Sequence, residues 1–382
     1  MPLEKLYQFF SSLRLTVLLL VLGMVLVFLG TLAQVSLGLY RAQNEFFRSF
    51  FVYWGPPGAS WRIPVFPGGY LLGALMLINL IAAHWRYFRA DWRKSGIVLI
   101  HAGLVLLLLG QLATDLLSVE STLHLREGEA KNYSEVDRRV ELAITEVTDP
   151  AYDQVVTIPQ RVLERQGEVS VSQLPFTIRI RKFYPNAMVS ARPADATEPA
   201  PADQGVGPQV VLTPLPHVTE MGKRDVPAAV VELVTPSGSL GRWLASEYIS
   251  QPQRIATGGR VFTLAMRPQR LYKPWTIRLL DFRHDRYPGT DIPKNFSSRI
   301  LLTDPRNGTE REVVIRMNSP LRYGGETYYQ ASYDPDDQGS VLQVVRNPSW
   351  LTPYIACSMI TVGLLLQFTI HLFRFAGRIV RT

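Results

Sequence analysis

Residues 97–117, IVLIHAGLVLLLLGQLATDLL, run for 21 positions with no formal charge before Asp115. At about 1.5 Å rise per residue, a helix of that length covers a bilayer core of about 30 Å. The stretch therefore predicts a membrane-spanning helix. One ionisable ring, His101, falls about one turn inside its N-terminal end. An imidazole at that depth is costly in lipid and normally has a partner.

The rest of the chain is not uniformly apolar. Over 382 residues, 47% are hydrophobic, and the mean hydropathy is +0.06. Those values fit several apolar spans joined to one large polar domain. The net charge of +8 does not point to nucleic acid, because basic residues beside the spans already serve topology. The single cysteine, Cys357, lies in an apolar span, so no intrachain disulfide and no Cys-x-x-Cys motif exist.

Residues 1–14 form a short amphipathic cytoplasmic N-terminus, and 15–33 a first span. That run is too long for a cleavable signal. Gly23 and Gly30, seven apart, suit close helix packing. Residues 34–68, with Trp54, Trp61 and the turn-forming Pro56-Pro57-Gly58, read as an extracytoplasmic loop along the membrane surface. A short second span covers 69–83, with Gly69 and Gly73 as a small-xxx-small pair and Asn79 as its one strongly polar group. The loop 84–96 holds Arg86, Arg89, Arg93 and Lys94 against a single acid, Asp91. The positive-inside rule places it in the cytoplasm, with Trp85, Tyr87, Phe88 and Trp92 as its aromatic belt. The third span, 97–117, then leads outward. Residues 118–350 become an extracytoplasmic domain, 351–372 a fourth span, and 373–382, with Arg374, Arg378 and Arg381, a cytoplasmic tail.

The outer domain shows short runs that alternate with period two, including FTIRIRKF (176–183), VPAAVVELV (226–234), RVFTLAM (260–266), WTIRLLDF (275–282), SRILLTD (298–304), REVVIRM (311–317), ETYYQASY (326–333) and SVLQVVR (340–346). This pattern predicts strands, separated by turns at Pro288-Gly289, Asn307-Gly308 and Gly324-Gly325. The expected fold class is a membrane protein, α plus β: four transmembrane helices, with a large extracytoplasmic antiparallel β domain between the third and fourth. A sandwich or two stacked sheets is expected for that domain. Residues 190–209 bury little by composition and read as a mobile loop.

Of the six histidines, His124, His217 and His284 stand in the outer domain without metal-ligand spacing. His84, His101 and His371 all fall toward the cytoplasmic ends of spans. His84 and His371 sit beside arginines and read as snorkelling interfacial residues. His101 is deeper, and its alternatives are a hydrogen bond to a neighbouring helix or a functional site. Gly96, Gly103 and Gly110 recur every seven residues on one face, while His101 lies about 200° round the wheel from Gly103. The glycine face is expected to pack on this chain's own helices. His101 then faces a partner protein or a cofactor slot between subunits. A proton relay needs acids at its depth, and a transport metal needs several ligands. Haem iron needs one imidazole here if the other ligand comes from elsewhere. No nucleotide loop, G-x-S-x-G motif or catalytic constellation appears.

The order of parts resembles the ResB family, also called CcsB, of the system II cytochrome c maturation apparatus. The carrying segments are SSLRLTVLLL (11–20), GTLAQ (30–34) and IHAGLVLLLLG (100–110). The most specific are DFRHDRYPGTDIPKNFSSRILLTD (281–304) and MNSPLRYGGETYYQASY (317–333). The match departs at Ala331, where serine is common, and the outer domain is compact. The resemblance implies a subunit of a holocytochrome c synthase in the bacterial cytoplasmic (inner) membrane, itself non-catalytic. It would work with a polytopic ResC/CcsA-type membrane protein and apocytochrome c, and with a thioredoxin-like protein. The tryptophan-rich segment of that partner is absent here, so an unfused subunit is expected. The implied cofactor is haem b shared with the partner, with His101 as an axial ligand of the haem iron and His84 as an alternative ligand. Two other readings stand beside it: a haem-free scaffold that stabilises the partner and binds apocytochrome c, and an independent b-type cytochrome using two of His84, His101 and His371. Asn318-Ser319-Pro320 and Tyr328-Tyr329-Gln330 read as turn and core before they read as a binding surface.

Overall fold

The computed structural model describes residues 2–56, 61–87, 92–193, 195, 199–219, 223–290 and 293–379. Pro57 and Gly58 of the expected turn, Phe88, Arg89 and Asp91 of the basic loop, and Arg381 of the tail lie outside the described residues. The chain divides into two compact units, Met1–Val119 with Asn347–Thr382, and Glu120–Arg346.

The helical unit contains α1 (Pro2–Phe10), α2 (Leu13–Leu37), α3 (Leu39–Ala42), α4 (Gly69–Tyr87), α5 (Ser95–Leu117) and, after the β-rich unit with its single helix α6 (Gln160–Arg165), α7 (Thr352–Ile379). Between α3 and α4 lies a hairpin of β1 (Phe51–Trp54) and β2 (Ile63–Pro67). Among the described residues three helices are long and apolar enough to cross a membrane: Leu13–Leu37, Trp92–Leu117 and Thr352–Ala376. Only 22%, 17% and 17% of their most apolar windows are buried in the protein. Surfaces so apolar and so uncovered need lipid rather than water around them. Helix α4 spans 19 residues and carries His84 and Arg86 in its last turn. It is not among the three.

The side chain of Ser12 caps α2 by accepting from the Leu15 amide at 3.2 Å. Asn79 of α4, buried, donates to the carbonyls of Phe10 at 2.7 Å and Ser12 at 3.2 Å, and its own oxygen accepts from the Thr16 hydroxyl at 2.7 Å. This ties α4 to the start of α2. The glycine face of α5 packs on α7. A Cβ at Gly96 would stand 2.5 Å from the Gly363 carbonyl, and one at Gly103 would stand 2.9 Å from the Ala356 carbonyl. The two backbones are in contact, which only glycine permits. The other glycine pairs divide. Gly30 and Gly69 meet Phe47, while Gly23 and Gly73 face open space.

The second unit is β-rich. Its strands are β3 (Val119–Arg126), β4 (Ala130–Glu146), β5 (Gln154–Pro159), β6 (Gly167–Val169), β7 (Thr177–Tyr184), β8 (Ala187–Ala191), β9 (Val210–Pro214), β10 (Ala228–Thr235), β11 (Gly238–Ser246) and β12 (Gln253–Thr257). They continue with β13 (Arg260–Arg286), β14 (Pro293–Asp304), β15 (Thr309–Arg316), β16 (Leu321–Tyr323), β17 (Glu326–Tyr333) and β18 (Gly339–Arg346). A ten-stranded sheet runs β15-β14-β13-β4-β3-β18-β17-β16, with β12 on β13 and β5 on β4. A four-stranded sheet, β11-β10-β7-β6, and the β8-β9 hairpin complete the unit.

Two cores form. In the first, the four-stranded sheet packs against β4, β5 and the start of β13 through Ile178, Val231, Ile144 and Phe262. That half has the stacked-sheet arrangement expected. In the second, the large sheet curls toward a barrel. Ser298 of β14 donates to Gln330 of β17 and contacts Ser340 of β18, both at 2.6 Å, although these strands are far apart in the sheet order. The curl replaces a second stacked sheet because β17 and β18 themselves close over Ile277, Leu279 and Ile300.

Strand β13 serves both cores by changing its parity. Phe262, Leu264 and Met266 are buried first, then Lys273, Trp275, Ile277 and Leu279. A one-residue register shift moves every following side chain to the other face. The shifts fall between Pro268 and Gln269 and between Tyr272 and Ile277. Proline in a strand belongs at such irregularities.

The described part of 190–209 is anchored, which corrects the mobile-loop expectation. Ala202 is fully packed, and Asp203 accepts from the Arg242 amide at 2.7 Å and its guanidinium at 3.0 Å. Small residues are what allow this close seat. A Cβ on Gly207 would stand 2.6 Å from that of Ala202.

Candidate functional site

Helices α2, α4 and α5 enclose a cavity of about 510 Å³. Leu20, Met76, Leu80, Ile97, Leu104 and Leu108 supply much of its wall. His84, from the last turn of α4, and His101, from the second turn of α5, both line it. Their ring centroids lie 5.7 Å apart, with the planes tilted by 34°. The sequence reading turned His101 away from the glycine face, toward a partner or an intersubunit slot. The structure places it on this cavity, between this chain's own helices.

The His101 ring is held at one nitrogen. Nδ1 lies 2.7 Å from the carbonyl of Ile97, one turn earlier in α5. A neutral ring that donates from Nδ1 carries its lone pair on Nε2, so that nitrogen is the one able to accept a proton or a metal. His371 is placed differently. Its Nδ1 lies 2.8 Å from the Gln367 carbonyl on α7, and it does not line the cavity. Of the three histidines grouped by sequence, the structure thus brings two together.

Two further lining residues escaped sequence reasoning. Thr16 pairs with Asn79, and Lys94 carries a formal charge into the wall. A usable signal existed for Lys94, since it lies seven residues before His101 and therefore on the same helix face.

The outer-unit histidines each meet one aspartate. His124 lies 2.9 Å from Asp334, His217 2.6 Å from Asp225 and His284 2.8 Å from Asp337. Among the described residues no group of three potential metal ligands occurs. The polar centre of this unit is elsewhere. The Lys273 ammonium donates to Glu326 at 2.7 Å, Tyr328 donates to the same carboxylate at 2.7 Å, and the Trp275 indole donates to the Tyr328 hydroxyl at 2.9 Å. Burial, and then the neighbouring Glu326 charge, push the Tyr328 phenol far above its ordinary range. Asp304 is held well below the usual carboxylate range by Arg306 at 2.8 Å, helped by the Tyr323 hydroxyl at 2.7 Å. Tyr328 is core, and Asn318 turns with φ of 62°, so both read as architecture.

Apolar helices too long and too bare for water, an imidazole-lined cavity among them and a separate β-rich unit define the class: a membrane protein with a large antiparallel β domain. Residues 249–341 match the model of the ResB-like family. The chain thus carries a ResB-like region, and the segments 281–304 and 317–333 fall inside it. It is 35% identical to protein NrfI of Wolinella succinogenes over 102 residues, 27% of this chain and 11% of NrfI. It is 30% identical to the cytochrome c biogenesis protein CcsB of Synechococcus elongatus, and equally to that of another Synechococcus, over 96 residues. Those matches cover 25% of this chain and 21% of each relative, so the chain spans about a fifth or less of the curated relatives it matches.

Proposed function

We propose that this chain acts in cytochrome c biogenesis as the ResB-type subunit of a system II holocytochrome c synthase, and that His101 is an axial ligand of a haem b in the α2/α4/α5 cavity. The observation that carries this reading is the His101 ring on an apolar wall, its Nδ1 on the Ile97 carbonyl and its Nε2 directed to accept. The residues fit the group. A neutral imidazole is a common axial ligand of haem iron. The cavity volume lies within the range of cofactor sites, and apolar side chains suit a macrocycle. His84 stands near enough to be an alternative ligand. When bound, haem supplies the prosthetic group that the assembly joins to the Cys-x-x-Cys-His motif of apocytochrome c.

In this reading α4 is a fourth span, entered from outside and left at the cytoplasmic face. Arg86, Arg93 and Lys94 hold the α4–α5 connection in the cytoplasm. The β-rich unit is then extracytoplasmic, in the bacterial cytoplasmic membrane. The chain's own part is to bind and orient: Ile97 fixes the His101 tautomer, and leucine side chains exclude water. A ResC/CcsA-type membrane protein completes the synthase, and a thioredoxin-like protein keeps apocytochrome c reduced.

The test is co-expression with that partner, scoring bound haem by pyridine haemochrome and holocytochrome c by haem stain. His101→Ala is expected to lose most of both, with partial return on adding imidazole. Haem content and maturation equal to the parent would refute His101 ligation and leave the haem-free scaffold.

A further inference from the structure

The cavity wall that holds His101 carries one formal charge, the ammonium of Lys94, and no carboxylate. Its other non-histidine polar groups are already used. Both Asn79 donor bonds go to the Phe10 and Ser12 carbonyls, and the Thr16 hydroxyl goes to Asn79. Lys94 is the residue before α5 and lies seven positions from His101. That spacing is two turns, about 10 Å along the axis, on nearly the same face. The first turn of α5 adds to the charge. Lys94 stands at its N-cap with no side-chain cap, so the initial amides leave partial positive charge at this end.

An apolar chamber with an imidazole on one wall and a single cation two turns away suits a flat apolar ligand that bears a peripheral carboxylate. Resting on the assignment of haem to His101, we infer that Lys94 binds a propionate carboxylate of that haem and so sets its orientation. The carboxylate edge points to the start of α5, and the opposite edge lies among Leu20, Leu104 and Leu108. Lys94 is a positioning and affinity residue. It touches the ligand's rim, and it does not ligate the iron. The same ammonium facing a lipid phosphate is the competing source of anionic chemistry, and zwitterionic against anionic lipid separates the two.

The experiment uses the full chain with its polytopic partner in nanodiscs of zwitterionic lipid. It is titrated with haem b and with its dimethyl ester, followed by the Soret band. The parent is expected to bind haem about tenfold tighter than the ester, as one charge-assisted bond would give. Lys94→Gln brings haem down to the ester's affinity and leaves the ester unchanged, while Lys94→Arg keeps the preference. Equal loss of haem and ester in Lys94→Gln, no loss of either, or a preference that appears only in anionic lipid overturns the assignment. His101→Ala is run beside them. If it leaves the Soret position and affinity unaltered, the haem reading itself falls. If it alters them while Lys94→Gln does not discriminate, only the role of Lys94 falls.

Discussion

The guanidinium of Arg48 lies 2.6 Å from the carboxylate of Asp115, near the far end of α5 from His101. Tyr70 of α4 donates to the same carboxylate, whose side chain is only 12% exposed, so α5 is fastened to both the α3–β1 connection and α4. Arg48→Gln strands a largely buried charge on the remaining hydroxyl and is expected to cost about 1–3 kcal/mol. Arg48→Gln with Asp115→Asn is expected to cost less than the sum of the two single changes. Thermal unfolding in detergent, followed by tryptophan fluorescence, measures the difference.

Gly103 and Gly23 are expected to behave oppositely. An added Cβ at Gly103 stands 2.7 Å from Ile360 Cγ1 and 2.9 Å from a backbone oxygen, whereas at Gly23 it meets nothing within 4 Å. Gly103→Ala therefore forces α5 and α7 apart at about 1–3 kcal/mol. Gly23→Ala is neutral or stabilising by up to about 1 kcal/mol through helix propensity. A cysteine pair at 96 and 363 reads the separation directly as lost crosslinking in the Gly103→Ala background.

Lys273 and Glu326 form a buried pair, with side chains 5% and 13% exposed. Lys273→Met leaves the carboxylate with only the Tyr328 hydroxyl and is expected to cost about 3–5 kcal/mol. Lys273→Met with Glu326→Gln recovers much of that loss. Hydrogen exchange of the β17 amides is the readout, since it isolates this lobe from the membrane helices.

Asp304 makes the β-rich unit acid-sensitive. Its folded pKa is depressed, so its contribution is complete above the unfolded value of about 3.9 and is lost as pH falls through the folded value. Below about pH 4 the parent's melting temperature is expected to drop more steeply than that of Asp304→Asn, which is already lower at pH 7. Melting curves from pH 7 to pH 3 on both proteins check this, and parallel curves would remove Asp304 from the account.

The long apolar runs could be read from sequence because a bilayer demands about 20 such residues together. Alternation likewise located β7, β10, β14, β15, β17 and β18. It read β13 as two strands, 260–266 and 275–282, because Pro268 and Pro274 look like breaks. Pairing to β4 continues past both through shifts in register. Strand β4 was missed because Asp137, Arg138 and Arg139 interrupt its pattern. The meeting of His84 and His101 depends on how α4 and α5 lie side by side, which no periodicity reports. Their similar offsets from the one basic connection were the available clue. The aspartate partners of His124 and His284, 210 and 53 residues away, left no local trace.

Because one 27-residue strand contributes to both cores of the β-rich unit, neither lobe has a boundary at which the chain can be cut. Fraying at Leu279 withdraws support from Phe262, so the two halves denature together rather than in sequence. Truncations that stop near Lys273 would yield an insoluble fragment instead of a smaller folded piece, and evolution could lengthen this unit only at its outer strands.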